Sequence, residues 1–278
     1  MLETIYKRKY AIAAAMVALL LIASFAFPGV RAFASDLLGL FRVQKFAPIS
    51  VSPQQIALLE QLSDQGLYPG DLVMDGEHAP AYEVESLEAA AAEVGHSVRS
   101  VKELGQPDSV RIFPGNSGHL IVNLESARAI MEAVDADPTL LPDSLDGAQV
   151  DVTVYDQVEQ RWADNTFLLQ MAVPLVNYPA DVDTVALGQA LLQVLGIPES
   201  EARNLAESID WTTTLIVPLP ESAFSFNEVT VDGATGVSLS SLQEGDGSAI
   251  VWQKEGILYM LTGNRSANEL INLANNLQ

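Results

Sequence analysis

The chain contains no cysteine. That absence excludes a disulfide framework, a zinc–thiolate centre, thiol catalysis and lipid attachment through an N-terminal cysteine. With 278 residues the chain is long enough to bury a core without such staples. Histidine is scarce, three in all, and His78, His96 and His119 lack the H-x-x-x-H spacing of a metal site. Cations are scarce as well. Beyond residue 34, 10 Lys and Arg against 35 Asp and Glu leave a net charge of −25. Binding to nucleic acid depends on cations displacing counterions from phosphate, so DNA and RNA are excluded as partners. The plain reading of this acidity is solubility of an exported or salt-tolerant protein, with specific cation binding as the other reading. No motif calls for a cofactor.

Long apolar runs are absent too, with one exception. Tyr10–Phe27 is 18 residues long, with only Tyr10 at its rim and Ser24 polar. That is near the lower end of the roughly 17–25 residues that span a bilayer. Lys7, Arg8 and Lys9 stand directly before it, and the positive-inside rule keeps them in the cytoplasm and sends the remainder across. The expected organisation is a cytoplasmic tail at 1–9, a transmembrane helix at 10–27 seated in the lipid bilayer, a juxtamembrane amphipathic segment at 28–50 and an extracytoplasmic domain at 51–278. A candidate division into two subdomains falls near 136–147. The expected location is thus the cell membrane, single-pass, with the C-terminal domain extracytoplasmic. A cleaved signal is the alternative. Ala32-Phe33-Ala34 is an A-x-A site behind Pro28 and Gly29, and cleavage there would secrete a chain beginning at Ser35. The core length and Arg31 favour a retained anchor.

Residues 33–46, FASDLLGLFRVQKF, place Phe33, Leu37, Leu38 and Phe41 close to helical spacing with Arg42 and Lys45 among them. Such an amphipathic helix lies in the headgroup layer or faces a partner. The other reading packs it on the folded domain as its first helix.

The remainder reads as α+β, a largely antiparallel sheet packed with several helices. Ser52-Pro53-Gln54-Gln55 opens a helix with a cap, a first-turn proline and a capping-box glutamine. Residues 67–82 read as irregular, and Ser86–Val94 as a helix closed by Gly95. A strand near Val110–Phe113, a GNSG turn and an HLIVN strand follow, then a helix over Glu125–Val134. Val150–Val154 alternates as a half-buried strand, with Thr166–Val173 its expected partner across a polar connection. Helices are expected over Asp181–Leu195 and Glu199–Ile209. Strands follow at Leu215–Leu219, Asn227–Val231, Ala249–Gln253 and Ile257–Leu261, the last two flanking a tight Lys254-Glu255-Gly256 hairpin. Ser266 and Glu269 form a capping box for the final helix.

Catalytic signals are thin. Gly115-Asn116-Ser117-Gly118-His119 resembles the nucleophile loop of trypsin-like serine proteases over five residues only, and a Gly-rich hairpin turn is the plain reading. The acidic pairs Asp135/Asp137, Asp143/Asp146, Asp181/Asp183 and Glu244/Asp246 lack EF-hand order. No catalytic, metal or cofactor residue is assigned, and the expectation is a protein that is not an enzyme.

Trp252, the Lys254-Glu255-Gly256 turn, Tyr259, Leu261, Gly263, Ser266, Glu269, Leu270 and Ala274 carry a resemblance. The stretch that holds them, AIVWQKEGILYMLTGNRSANELINLANNL, resembles the end of an uncharacterised bacterial extracytoplasmic domain family found on single-pass proteins downstream of anti-sigma-factor segments. VTVDGATGVSL is similar to that family's preceding strand pair, with Gly233 and Gly236 at its turn, and RAFASDLLGLFRVQKF to its juxtamembrane part. The resemblance implies a non-enzymatic sensor or regulatory domain of the cell envelope. Only nine residues precede the apolar run, and no zinc-binding cytoplasmic module fits there, so regulation is expected to pass through a membrane or envelope signalling partner. Physically, Trp252, Gly256, Tyr259, Gly263, Ser266 and Glu269 need no chemistry: a cross-strand aromatic pair, a turn and a cap account for them. The alternative function is a secreted or anchored carrier of lipid or peptide.

Overall fold

The computed structural model describes residues 45–76, 79–177, 182–211, 214–242 and 247–278. Lys7, Arg8, Lys9, the apolar run 10–27, and Phe33, Leu37, Leu38, Phe41 and Arg42 lie outside the described residues. Among the described residues no helix is long and apolar enough to cross a membrane.

The fold is α+β, with three sheets. The largest has eight antiparallel strands in the order β11 (Phe224–Val231), β12 (Ala234–Ser241), β13 (Ser248–Lys254), β14 (Ile257–Gly263), β8 (Phe167–Ala172), β7 (Gln157–Arg161), β4 (Ser109–Phe113) and β3 (Tyr82–Val84). A second, also antiparallel, runs β2 (Gly70–Met74), β5 (Asn116–Val122), β6 (Gln149–Val154) and β9 (Leu175–Asn177). The third is a parallel ribbon of β1 (Lys45–Val51) and β10 (Thr214–Pro220). Pro48, Pro218 and Pro220 lie within that ribbon, and a proline cannot donate to a further ladder. β4 pairs with β7 and β5 with β6, so both larger sheets draw strands from either side of residues 136–147.

Six α-helices cover these sheets among the described residues: α1 (Pro53–Asp64), α2 (Leu87–Val94), α3 (Leu124–Ala133), α4 (Thr184–Val194), α5 (Glu199–Ser208) and α6 (Ala267–Ala274). The large sheet buries alternate residues, as a sheet wet on one face must. Ile250, Trp252, Tyr259, Leu261 and Leu168 pack under Leu270 and Leu273 of α6. Ala90 of α2 closes over Val110, Ile112 and Val158. Around Trp211, α4, α5 and the ribbon form a separate core with Val51, Leu192, Ala202 and Ile216.

Local signals are obeyed at the helix ends. Ser52 accepts from the Gln55 amide at 3.1 Å, and Gly95 ends α2 at φ 72°. The capping box at Ser52 is not closed, however. Gln55 Nε2 donates to the Val194 carbonyl at 2.5 Å instead, joining α1 to the end of α4.

Five expectations are corrected. Residues 45–46 are not the end of a helix and 45–50 not part of a juxtamembrane segment: Lys45 begins β1, because Ala47, Ile49 and Val51 pack into the Trp211 core. Within 67–82 lies the strand β2, not an irregular stretch. The GNSG sequence is no turn, since Asn116–Gly118 already belong to β5. A Cβ on Gly115 or Gly118 would stand under 3.0 Å from the Val154 or Val73 carbonyl oxygen, so these glycines serve close strand approach. The partners of β6 are β5 and β9, while 167–172 pairs with β7 and β14. Gly236 is not in a turn but inside β12, opposite Trp252, where a Cβ would fall 2.9 Å from the Trp252 Cβ.

Candidate functional site

Lys254 and Tyr259 of the C-terminal motif join one partly exposed polar cluster on the large sheet. Val231 pairs with Ala234 and Lys254 with Ile257, leaving two-residue turns Asp232-Gly233 and Glu255-Gly256. All four turn residues have φ between 52° and 81°, the type I′ conformation that matches strand twist. The Glu255-Gly256 turn sets the register that stacks Trp252 on Tyr259, with ring centroids 5.1 Å apart and planes 10° from parallel. The Asp232-Gly233 turn aims a carboxylate back at the sheet. Arg99 Nη1 and Lys254 Nζ both pair with it, the lysine at 2.9 Å.

Arg99 binds the cluster together. Its Nη2 donates to the Leu277 carbonyl at 2.9 Å, and its guanidinium lies 5.9 Å from the Tyr259 ring centroid. Its own main chain crosses the sheet face. The carbonyl accepts from Gln160 at 2.6 Å and Gln170 at 2.7 Å, and the amide donates to Gln170 at 2.9 Å. Both glutamines are fully buried; Gln170 has its amide oxygen and nitrogen both bonded, whereas the Gln160 oxygen has no partner among the described residues. The motif's remaining members finish the same unit. Gly263 ends β14 beside Thr166. Ser266 and Glu269 close a full capping box on α6. Asn275, just past α6, accepts from the Asp232 amide at 2.6 Å. Trp252 is 0% and Tyr259 3% exposed, so the aromatics are framework, with no face offered to a ligand.

Partial burial pushes the Asp232 carboxyl up, but hydrogen bonds from Arg99 and Lys254 and their charge outweigh it and hold it below the usual carboxylate range. A carboxyl depressed on folding stabilises the protein above its unfolded pKa of about 3.9, and the contribution disappears as pH falls through the folded value. Asp232→Asn is therefore expected to lower the melting temperature at neutral pH, with the gap to the parent closing on acidification below about pH 4. A gap unchanged from pH 7 to pH 3 would exclude this role. Burial raises the Tyr259 hydroxyl, an effect Arg99 only partly offsets.

The exposed candidate is the edge of the small sheet. β2 pairs with β5 on one side, and no strand pairs with its other side among the described residues. Leu72 is 55%, Val73 41% and Met74 49% exposed, with Ile121 of β5 and Tyr68 also open. At one end of this sheet, reached from β2 by Asp71 alone, lies an open groove of about 930 Å³ between the end of β5 and α3, lined also by Glu125, Glu132, Asp143 and Asp146 with one cation, Arg128. Arg128 is already engaged by the Leu141 carbonyl at 2.6 Å and Asp143 at 2.7 Å. The groove therefore carries uncompensated negative charge beside apolar side chains.

Ser117 and His119 share the outward face of β5 without a hydrogen bond between them among the described residues. Ser117 Oγ meets Thr153 at 3.4 Å, and His119 Nδ1 faces Asp75 at 3.4 Å. His78 lies outside the described residues, as do Asp181, Glu244 and Asp246. Asp137 and Asp183 cap the segments that follow them. No group of three potential metal ligands occurs among the described residues.

The chain matches no protein-family model, no curated protein and no solved structure. Arg99, Asp232, Gln160 and the β2 edge escaped the sequence reading. Only Asp-Gly at 232–233, a turn signal, marked any of them.

Proposed function

We propose that this protein is a membrane-tethered, extracytoplasmic interaction domain of the cell envelope, regulatory and non-enzymatic, acting through a protein partner. The observation that carries this reading is the edge of β2 that no strand pairs among the described residues. Its unpaired main-chain groups are a template for an added strand, and β-strand addition is a general mode of peptide recognition. Leu72, Val73 and Met74 provide apolar contacts, and the adjoining acidic groove selects an extended segment carrying Lys or Arg. The basic cluster at 7–9 before the apolar run supports an extracytoplasmic position for this edge. The resemblance of the C-terminal stretch to the envelope domain family agrees with a regulatory role.

Leu72→Asp with Met74→Asp tests it. Both side chains are exposed, so the fold is expected to survive while a cross-linked envelope partner is lost from membranes. Phe224→Asp, on the edge of the other sheet, should retain the partner. Retention by the β2 variant, or loss from both, would refute docking at this edge.

A further inference from the structure

Between the small sheet and the helices α3 and α4 lies a cavity of about 130 Å³. Every residue lining it is apolar, among them Leu120, Val150, Ile130, Met131, Ala190 and Leu191. Close-packed interiors hold few voids larger than a water molecule, and a polar site is needed to keep water in one. This cavity presents nothing for water to bond. Its size is close to that of the engineered cavity of about 150 Å³ that stays dry and takes up benzene or xenon in another protein. Pro69, Val122, Leu141, Leu187 and Val194 are the half-buried members of the lining, so the cavity approaches solvent beside these residues.

We propose that this cavity is a binding site for a small neutral apolar ligand, or for one alkyl or aryl group of about the size of benzene. The volume excludes a whole lipid, and the lining excludes a charged head, which would be desolvated without a partner. The site is separate from the β2 edge and stands or falls independently of docking there.

Methionine methyl groups report on it directly. Met131 lines the cavity, whereas Met171 and Met260 lie in the large sheet. The full chain, reconstituted in lipid nanodiscs with 13C-labelled methionine methyls, is titrated with benzene as the probe. The expected result is a saturable shift of the Met131 signal while Met171 and Met260 stay in place. Ala190→Leu, which places a larger side chain in the cavity, should weaken that response at least about tenfold. Ala127→Val provides the same test if the first variant fails to fold, which the Met171 and Met260 shifts would reveal. Hexanoate should leave Met131 unmoved. A Met131 signal indifferent to benzene at its solubility limit overturns the proposal. So does a response that persists in the filled variants, or one that hexanoate reproduces.

Discussion

Trp252→Ala is expected to destabilise the protein by about 3–5 kcal/mol, the range for deleting a fully buried aromatic. Trp252 is 0% exposed and packs against Ile250, Tyr259, Leu261 and Leu270. Its stacking on Tyr259 adds about 0.5–1.5 kcal/mol. One effect opposes these: the indole N–H is buried without a hydrogen-bond partner among the described residues, a penalty of about 1–3 kcal/mol. The opposition can be separated experimentally. Trp252→Phe keeps a stacked ring and removes the unpartnered donor, so its loss should be about 1 kcal/mol or less. Denaturant unfolding of the two variants decides it. Equal losses would mean that a phenyl ring recovers neither the buried area nor the stacking of the indole, against this expectation. Against a total stability of about 5–15 kcal/mol, the alanine variant is marginal at best.

Gly188→Ala should also be harmful, against the usual sign for a helix. Within a helix interior, alanine is favoured over glycine by about 1 kcal/mol. At Gly188 of α4, however, a Cβ would stand under 3.0 Å from three atoms of the Trp211 indole. That ring cannot retreat. It is fully buried, its Nε1–H donates to the Ala206 carbonyl at 2.7 Å, and Leu192, Ala202 and Ile216 surround it. Forcing atoms into such a core costs about 1–3 kcal/mol and occasionally more. With a rigid indole as the obstacle the clash wins, and a net loss of about 2 kcal/mol should lower the melting temperature by about 4–8 °C. A melting temperature that rises instead would show that Trp211 has room to move. Pairing Gly188→Ala with Trp211→Phe should return part of the loss, since the phenyl ring vacates the contested space.

Much of the secondary structure was legible because its signals are local. The capping box at Ser266 and Glu269 occupies four consecutive positions, and both partners are found bonded as the spacing predicts. The same holds for the αL glycine at 95 and the Glu255-Gly256 turn. The strand β7 was missed for the opposite reason. In Gln157-Val-Glu-Gln-Arg161 one of the two inward residues is Gln160, which reads as solvent-facing. It is buried because the Arg99 carbonyl, 61 positions away, meets its amide. With 157–161 reading as a polar connection, 166–173 becomes the apparent neighbour of β6, although the two strands belong to different sheets. β2 was passed over because Pro69, Gly70 and Gly76 frame a short apolar run as a loop. Gly70 is there since a Cβ would strike the Ile121 carbonyl oxygen.

The candidate sites were less legible still. Asp232 announced a turn and nothing else, since its partner Arg99 lies 133 positions away. The cavity has no sequence signature, because its lining residues individually look like any core.

By itself the sequence determined the α+β class, most helix boundaries, two tight turns and a strongly acidic charge balance. Each of these depends on residue type, short-range spacing or summed charge. Only the tertiary structure decided which strands are neighbours, that β2 is left as an open edge among the described residues, and that α3 and α4 stop short of filling the space above β5 and β6. Those outcomes depend on which distant main-chain groups and side-chain volumes meet in space. A period of two or of 3.6 residues says which way a side chain points, but not what it will find there.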